Sequence, residues 1–161
     1  TKMTNLGMRK ALTDNGMNFI EADVGDRHVM DHLIKNKAIL GGEGSGHIIC
    51  LNKSMSGDGI IAALQILEIV AKSGQSLFNL KSEMTKYPQV LINIKTESKV
   101  NLNDSKLLEL IGTVESKLSD KGRLLVRESG TEPLVRVMVE CADNALATES
   151  AKQISEAIQS M

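Results

Sequence analysis

No run of apolar residues in this chain approaches the roughly 18 that a bilayer-spanning helix needs, so a transmembrane helix is excluded on length alone. An excess of one charge is missing as well. Lys and Arg number 19 against 20 Asp and Glu, a formal net charge of −1, and nothing global draws the chain to nucleic acid or anionic lipid. Any anion binding must therefore be local. Cysteine is scarce: Cys50 and Cys141 lie far apart, each in an apolar strand-like run, which points to two buried free thiols and a cytoplasmic address. No group of Cys and His has metal-ligand spacing. His28 and His32 are four apart and can share a helix face, but a third ligand is missing nearby, so they read as surface or interface histidines. A signal peptide, an internal repeat and low-complexity sequence are also absent. What is there is 42% hydrophobic and 24% charged over 161 residues, enough for one ordinary domain or two small ones with a real core.

The first half alternates elements. Helical spacing covers Asn5 to Asn15, closed by Gly16, and Asp26 to Asn36, with Val29, Leu33 and Ile34 on one face. Short strands are expected at Met17 to Glu21, Lys37 to Leu40 and Ile48 to Leu51. Asp58 is a fitting N-cap for a helix over Gly59 to Lys72, with Ile60, Leu64, Leu67 and Ala71 as its stripe. Helices alternating with short strands imply an α/β layer. The layer is short of strands, so truncation at its N-terminus is expected; the missing Met is not decisive, since Thr1 could follow a processed initiator methionine, and the incomplete layer is the stronger sign. From Ser73 to Pro88 the pattern changes to a hinge-like connector with a short amphipathic helix over Ser76 to Lys86, stopped by Tyr87-Pro88. The second half is expected as strand Gln89 to Ile94, helix Asn103 to Leu118, strands Gly122 to Arg127 and Leu134 to Cys141, and helix Asn144 to Ser160. Leu107, Ile111, Val114 and Leu118 form one stripe, and Ala147, Ala151, Ile154 and Ile158 the other. The expected fold is thus a partial α/β layered domain over residues 1–87, followed over 88–161 by a small α+β domain with two helices on one face of an antiparallel sheet.

Two loops carry chemistry. Arg127-Glu128-Ser129-Gly130-Thr131-Glu132-Pro133-Leu134-Val135-Arg136 sits between two apolar runs and reads as a β-hairpin with an elaborated loop. In the simplest register Arg127 and Arg136 face each other, and like charges there repel. A shared dianion turns that repulsion into attraction, and the hydroxyls and N–H groups around Gly130 add donors for a phosphate. The alternative is a polar turn whose arginines pair with Glu128 and Glu132. In the first half Gly41-Gly42-Glu43-Gly44-Ser45-Gly46-His47 joins two strands. No Lys-Ser/Thr follows it, so it is not a Walker loop, and its context is wrong for a dinucleotide fold. Its glycines admit close approach of a ligand, and Glu43, Ser45 and His47 offer an acceptor, a hydroxyl and an imidazole, a set suited to a polyol such as a sugar. A glycine-rich turn with a core histidine is the alternative.

In order and spacing, the two loops resemble the C-terminal part of the α-D-phosphohexomutases. Gly42-Glu43-Gly44-Ser45-Gly46-His47 matches their G-E-x-S-G-H loop, and Arg127 to Arg136 their R-x-S-G-T-E-P-x-x-R loop. Ser56-Gly57-Asp58-Gly59 fits too, and Val24-Gly25-Asp26-Arg27, Gly41-Gly42 and Tyr87-Pro88-Gln89-Val90 look most like the bacterial phosphoglucosamine mutase branch. The resemblance implies a third, sugar-recognising domain and a fourth, phosphate-clamping one. By it, Glu43 and Ser45 hold sugar hydroxyls, His47 is a possible general acid/base, and Arg127, Ser129, Gly130, Thr131 and Arg136 grip the phosphate not being transferred. The implied reaction interconverts glucosamine 6-phosphate and glucosamine 1-phosphate through a bisphosphate, with Mg²⁺ and a phosphoserine as the family's other requirements. Neither a T-A-S-H-N-P-like serine loop nor a D-G-D-G-D-R magnesium loop occurs here, and Ser56-Gly57-Asp58-Gly59 has too few carboxylates for Mg²⁺. The chain alone is therefore expected to be inactive, and its partners to be a hexosamine phosphate and the missing N-terminal domains. The alternatives are a non-catalytic sugar-phosphate or anion-binding module and a phosphomannomutase or phosphoglucomutase of the same family; a ferredoxin-like regulatory domain fused to an α/β piece is a third, weakened by the paired arginines. A homo-oligomer is compatible with all of them.

Overall fold

Side-chain caps set the helix starts. Asn5, Asp58, Ser76, Asp104 and Asp143 each accept backbone N–H groups from the first turn of the helix that follows, which satisfies donors that have no partner within a helix. The computed structural model of the chain describes residues 1–96, 100–129 and 132–161. They form two compact units, Thr1–Lys86 and Tyr87–Met161.

In the first unit, α1 (Leu6–Asp14) and α2 (Asp26–Asn36) precede a hairpin of β1 (Leu40–Gly42) and β2 (Ile48–Cys50). The hairpin is antiparallel, with Gly41 opposite Ile49. Then come α3 (Gly59–Ser73) and the short α4 (Leu77–Lys81). Ala22, Val29, Leu33 and Ile49 make a small core. Gly41 is needed there because a Cβ would sit 2.6 Å from Val29 Cγ1 and 3.1 Å from a Leu33 methyl. The hairpin therefore lies flat on α2.

Three expectations are corrected in this unit. Residues 17–21 are not a strand; Met17 and Ile20 are exposed and the segment pairs with no neighbouring strand. The strand expected at Lys37 to Leu40 starts only at Leu40 and takes in both glycines, because Lys37 holds a left-handed conformation at the end of α2. Helical stripes mislead twice. Ile34 is exposed while Val29 and Leu33 are buried, and in α3 Ile60, Leu64 and Leu67 are 74%, 56% and 61% exposed, with Ala62 the buried residue. Between Ile60 and Lys72 only Gln65 and Glu68 interrupt the apolar residues of α3. A helix apolar on every side has no stripe by which periodicity could select a face.

In the second unit β3 (Gln89–Lys95), β4 (Gly122–Glu128) and β5 (Leu134–Cys141) form an antiparallel sheet of order β3-β5-β4. α5 (Ser105–Leu118) and α6 (Asn144–Gln159) cover one face. Val135, Val137, Val139 and Cys141 alternate toward those helices and meet Leu107, Val114, Leu118, Ala151, Ile154 and Ile158 in one core. The four β5 residues follow the period-two geometry of a strand, and on its other face Met138 and Glu140 are buried as well. Both stripes expected for these helices supply that core. Cys50 and Cys141 are buried and free, and among the described residues no helix is long and apolar enough to cross a membrane.

Candidate functional site

Alternation on β5 sends Arg136, Met138 and Glu140 to the face opposite the helices. The register then sets Arg127 of β4 directly opposite Arg136, and Asn93 of β3 opposite Arg136 on its other side. Asn93, Arg136 and Arg127 thus make a polar row across the sheet. Nε of both arginines is buried and has no hydrogen-bond partner. Buried donors are almost always satisfied, so two unpartnered Nε–H groups on residues paired in register mark a candidate position for an acceptor. The polar-turn alternative is realised in part: Arg136 Nη2 donates to Glu132 Oε2 at 3.0 Å, and Arg127 Nη1 to the Glu128 carbonyl at 3.3 Å. Glu132 is more than half exposed, and such a pair is worth only about 0.2–1 kcal/mol, which a dianion contacting both forks exceeds. Ser129 closes the base of the loop through its N–H to the Leu134 carbonyl at 2.9 Å. Gly130 and Thr131 lie outside the described residues.

The second constellation lies within the first unit. β1 and β2 are joined by a tight turn in which the Glu43 N–H donates to the His47 carbonyl and the Gly46 N–H to the Glu43 carbonyl. Gly46, at φ 96°, occupies a backbone region that disfavours side chains. The turn brings Glu43 and His47 to the start of α2 and leaves Ser45 exposed at its tip. Glu43 Oε1 accepts the Gly25 N–H at 2.7 Å. His47 Nε2 lies 3.8 Å from Asp26 Oδ2. That nitrogen is buried and without a hydrogen bond, and a Cβ on Gly57 would overlap it. Asp26 and Gly57 beside His47 in the first unit, and Asn93 beside Arg136 in the second, are neighbours that sequence reasoning did not single out. Asp26 and Gly57 sat inside the runs that carried the resemblance, and Asn93 was a polar residue in an apolar strand. A cavity of about 610 Å³ lies behind the hairpin, lined largely by apolar residues such as Met8, Phe19, Ile20 and Ile66. Its mostly apolar walls suit packing, not a sugar phosphate, although Glu43 is among the residues that line it.

His28 is exposed and His32 half-buried on α2, and among the described residues no three His, Cys, Asp or Glu side chains are grouped to hold a metal ion.

Known proteins match both units. Residues 1–87 match the family model for the alpha/beta/alpha domain III of phosphoglucomutase/phosphomannomutase, and residues 91–157 match the model for its C-terminal domain. The phosphoglucosamine mutase of Ruthia magnifica subsp. Calyptogena magnifica is 58% identical over 156 residues, covering 96% of this chain and 35% of that protein. The phosphoglucosamine mutase of Hydrogenovibrio crunogenus is 45% identical over 160 residues, covering 99% and 36%. The chain thus spans about a third of the length of these relatives. A crystal structure of Aspergillus fumigatus N-acetylphosphoglucosamine mutase with GlcNAc-6P and magnesium shares the fold at a TM-score of 0.78 and 17% identity, over 98% of this chain and 37% of that one. With both units matched in order, the chain belongs to the phosphoglucomutase/phosphomannomutase family and carries its domain III and its C-terminal domain.

Proposed function

We propose that this chain supplies the sugar-holding and phosphate-gripping parts of a phosphoglucosamine mutase, which interconverts glucosamine 6-phosphate and glucosamine 1-phosphate through glucosamine 1,6-bisphosphate. The observation that carries the proposal is the pair Arg127 and Arg136, opposite each other with both Nε atoms buried and unpartnered. A phosphate dianion between them gains two charge-assisted forks and removes the repulsion between the guanidinium groups. Ser129, Gly130 and Thr131 complete the grip by hydroxyl and backbone donors. Glu43 and Ser45 hold sugar hydroxyls: Oε1 of Glu43 is fixed by Gly25, which leaves Oε2 as the acceptor. His47 is the acid/base candidate of this set.

This division suits phosphoryl transfer, where catalysis is mostly positioning and charge neutralisation. The phosphate that stays put anchors one end of the sugar while its other end reacts. The choice of glucosamine rests on the names of the relatives. Mg²⁺ and the phosphoserine belong to the full-length enzyme in this reading, which takes them from the family resemblance. A cytoplasmic address goes with it, motivated by the free thiols Cys50 and Cys141.

The test is turnover by the full-length protein, given glucosamine 6-phosphate and a bisphosphate activator, beside the 161-residue chain alone. Glucosamine 1-phosphate should form only with the former, while the latter binds phosphate weakly. Faster turnover of mannose or glucose phosphates would reassign the substrate. Turnover by the chain alone would refute the division of labour.

A further inference from the structure

Three segments far apart in sequence meet at one nitrogen. His47 follows the hairpin turn, Asp26 opens α2, and Gly57 precedes the Asp58 cap of α3. His47 Nε2 is buried and unpartnered although the His47 side chain as a whole is 36% exposed. The exposed part of the ring therefore belongs to its other atoms, and Nδ1 is the only other nitrogen a ligand could use. Facing Nε2 at 3.8 Å is Asp26 Oδ2, while Asp26 Oδ1 accepts the Arg27 N–H at 2.7 Å and so holds the carboxylate near the helix start. The Asp26 side chain is 69% exposed, and a hydrogen bond to Nε2 requires it to come closer than this 3.8 Å. Gly57 makes the approach possible, since any Cβ there would overlap Nε2, Cε1 and Cδ2 of the ring. Its backbone does not hold a positive φ, so what calls for glycine at this position is the imidazole.

Resting on the reading above, in which His47 meets the sugar phosphate, we infer that Asp26 and Gly57 are positioning residues for His47. Gly57 seats the ring by shape, and Asp26 keeps the proton on Nε2 so that Nδ1 is presented as the acceptor. A neutral imidazole has one donor and one acceptor nitrogen, and the partner of one fixes the role of the other. Glu43 is held by the adjacent Gly25 N–H, so the two ends of the turn are referenced to one dipeptide, Gly25-Asp26. The relative placement of the sugar acceptor and the imidazole is thereby set by a rigid helix start and not by the turn alone.

The experiment uses the full-length protein with ¹⁵N-labelled histidine, the His47 signals being identified by their loss in His47→Gln. The wild type should show the Nε2–H tautomer of His47. Asp26→Asn should shift the population toward Nδ1–H and lower kcat/KM for glucosamine 6-phosphate roughly tenfold to a hundredfold, the scale of a misplaced reacting group. Asp26→Glu should restore much of both. Gly57→Ala should displace the ring, giving new His47 shifts and a comparable kinetic loss with Tm little changed. If that variant does not fold, the Asp26 pair decides. An unchanged tautomer population in Asp26→Asn overturns the inference. A tautomer shift with unchanged turnover upholds the placement of the ring and counts instead against the reaction proposed for the site.

Discussion

Arg127 and Arg136 are opposite each other in the β4–β5 register, each with a buried Nε that lacks a partner. Removing one of them tests whether this geometry is a clamp or a strained turn. Consider Arg127→Ala in the full-length protein without ligand. The substitution loses packing of the aliphatic stem, but it removes a like-charge pair that costs about 0.2–1 kcal/mol and an orphaned donor that costs about 1–3 kcal/mol. These contributions oppose one another, so folding stability should change by no more than about 1 kcal/mol. Arg136→Ala differs by also losing the 3.0 Å pair with the exposed Glu132, about 0.2–1 kcal/mol more. With substrate bound the balance is different. Each guanidinium–phosphate contact contributes about 1.5–3 kcal/mol, so either variant should lose roughly tenfold to a hundredfold in kcat/KM. The two forks share one ligand, so the double variant should depart from additivity by at least about 0.5 kcal/mol. Denaturant or thermal melts give the first number and steady-state kinetics with glucosamine 6-phosphate the second. Phosphate at about 100 times its Kd should stabilise the wild type by about 2.7 kcal/mol and the double variant hardly at all. Wild-type kinetics in both single variants would show that the loop is only a turn.

Other predictions address the scaffold. Ile154→Ala, at a fully buried position of α6, should cost about 2–5 kcal/mol, whereas Ile60→Ala on the exposed side of α3 should cost far less; chemical denaturation distinguishes them, and equal losses would place the core wrongly. Gly7→Ala should destabilise the first unit by about 1–3 kcal/mol or more, because its Cβ would overlap the Thr85 carbonyl oxygen, which is backbone and cannot swing aside. The Asp23 carboxyl is held below its ordinary value near 3.8 by the hydrogen bond and then the charge of Lys2. A lowered carboxyl stabilises above the unfolded-state value and loses that contribution as pH falls through the folded-state value. Lys2→Ala, or about 1 M salt, should raise the Asp23 titration seen by NMR, with a stability effect confined to pH below about 4 and small because both groups are exposed.

Where a segment carries its own chemistry, the sequence was a sufficient guide. Asp26 to Asn36 begins with an acidic residue and ends at a left-handed Lys37, and those are the bounds of α2. In the second unit the stripes of α5 and α6 face the sheet because each helix has a polar side to leave outward. The opposition of Arg127 and Arg136 could be anticipated because a hairpin is a local object whose register follows from its loop. Met17 to Glu21 failed as a strand because short apolar runs do not say whether a partner strand exists. α3 failed on burial for a different reason, having apolar residues on all sides. The support around His47 was out of reach for a third reason. Asp26, His47 and Gly57 stand in three different segments, and only their meeting gives the glycine a meaning.

The strand order β3-β5-β4 has a consequence for the time course of folding. β4 and β5 are neighbours in sequence, and hairpins of this kind close in about 1–10 μs. β3 must cross the length of α5 before it can pair, and contacts of that separation form slowly because chain entropy has to be lost first. On these rates the two arginines are expected to be brought opposite each other before β3 encloses the central strand. Phosphate in the surrounding solution would then favour the correct hairpin register while the domain is still being assembled, and act as a template for folding before it serves as part of a substrate.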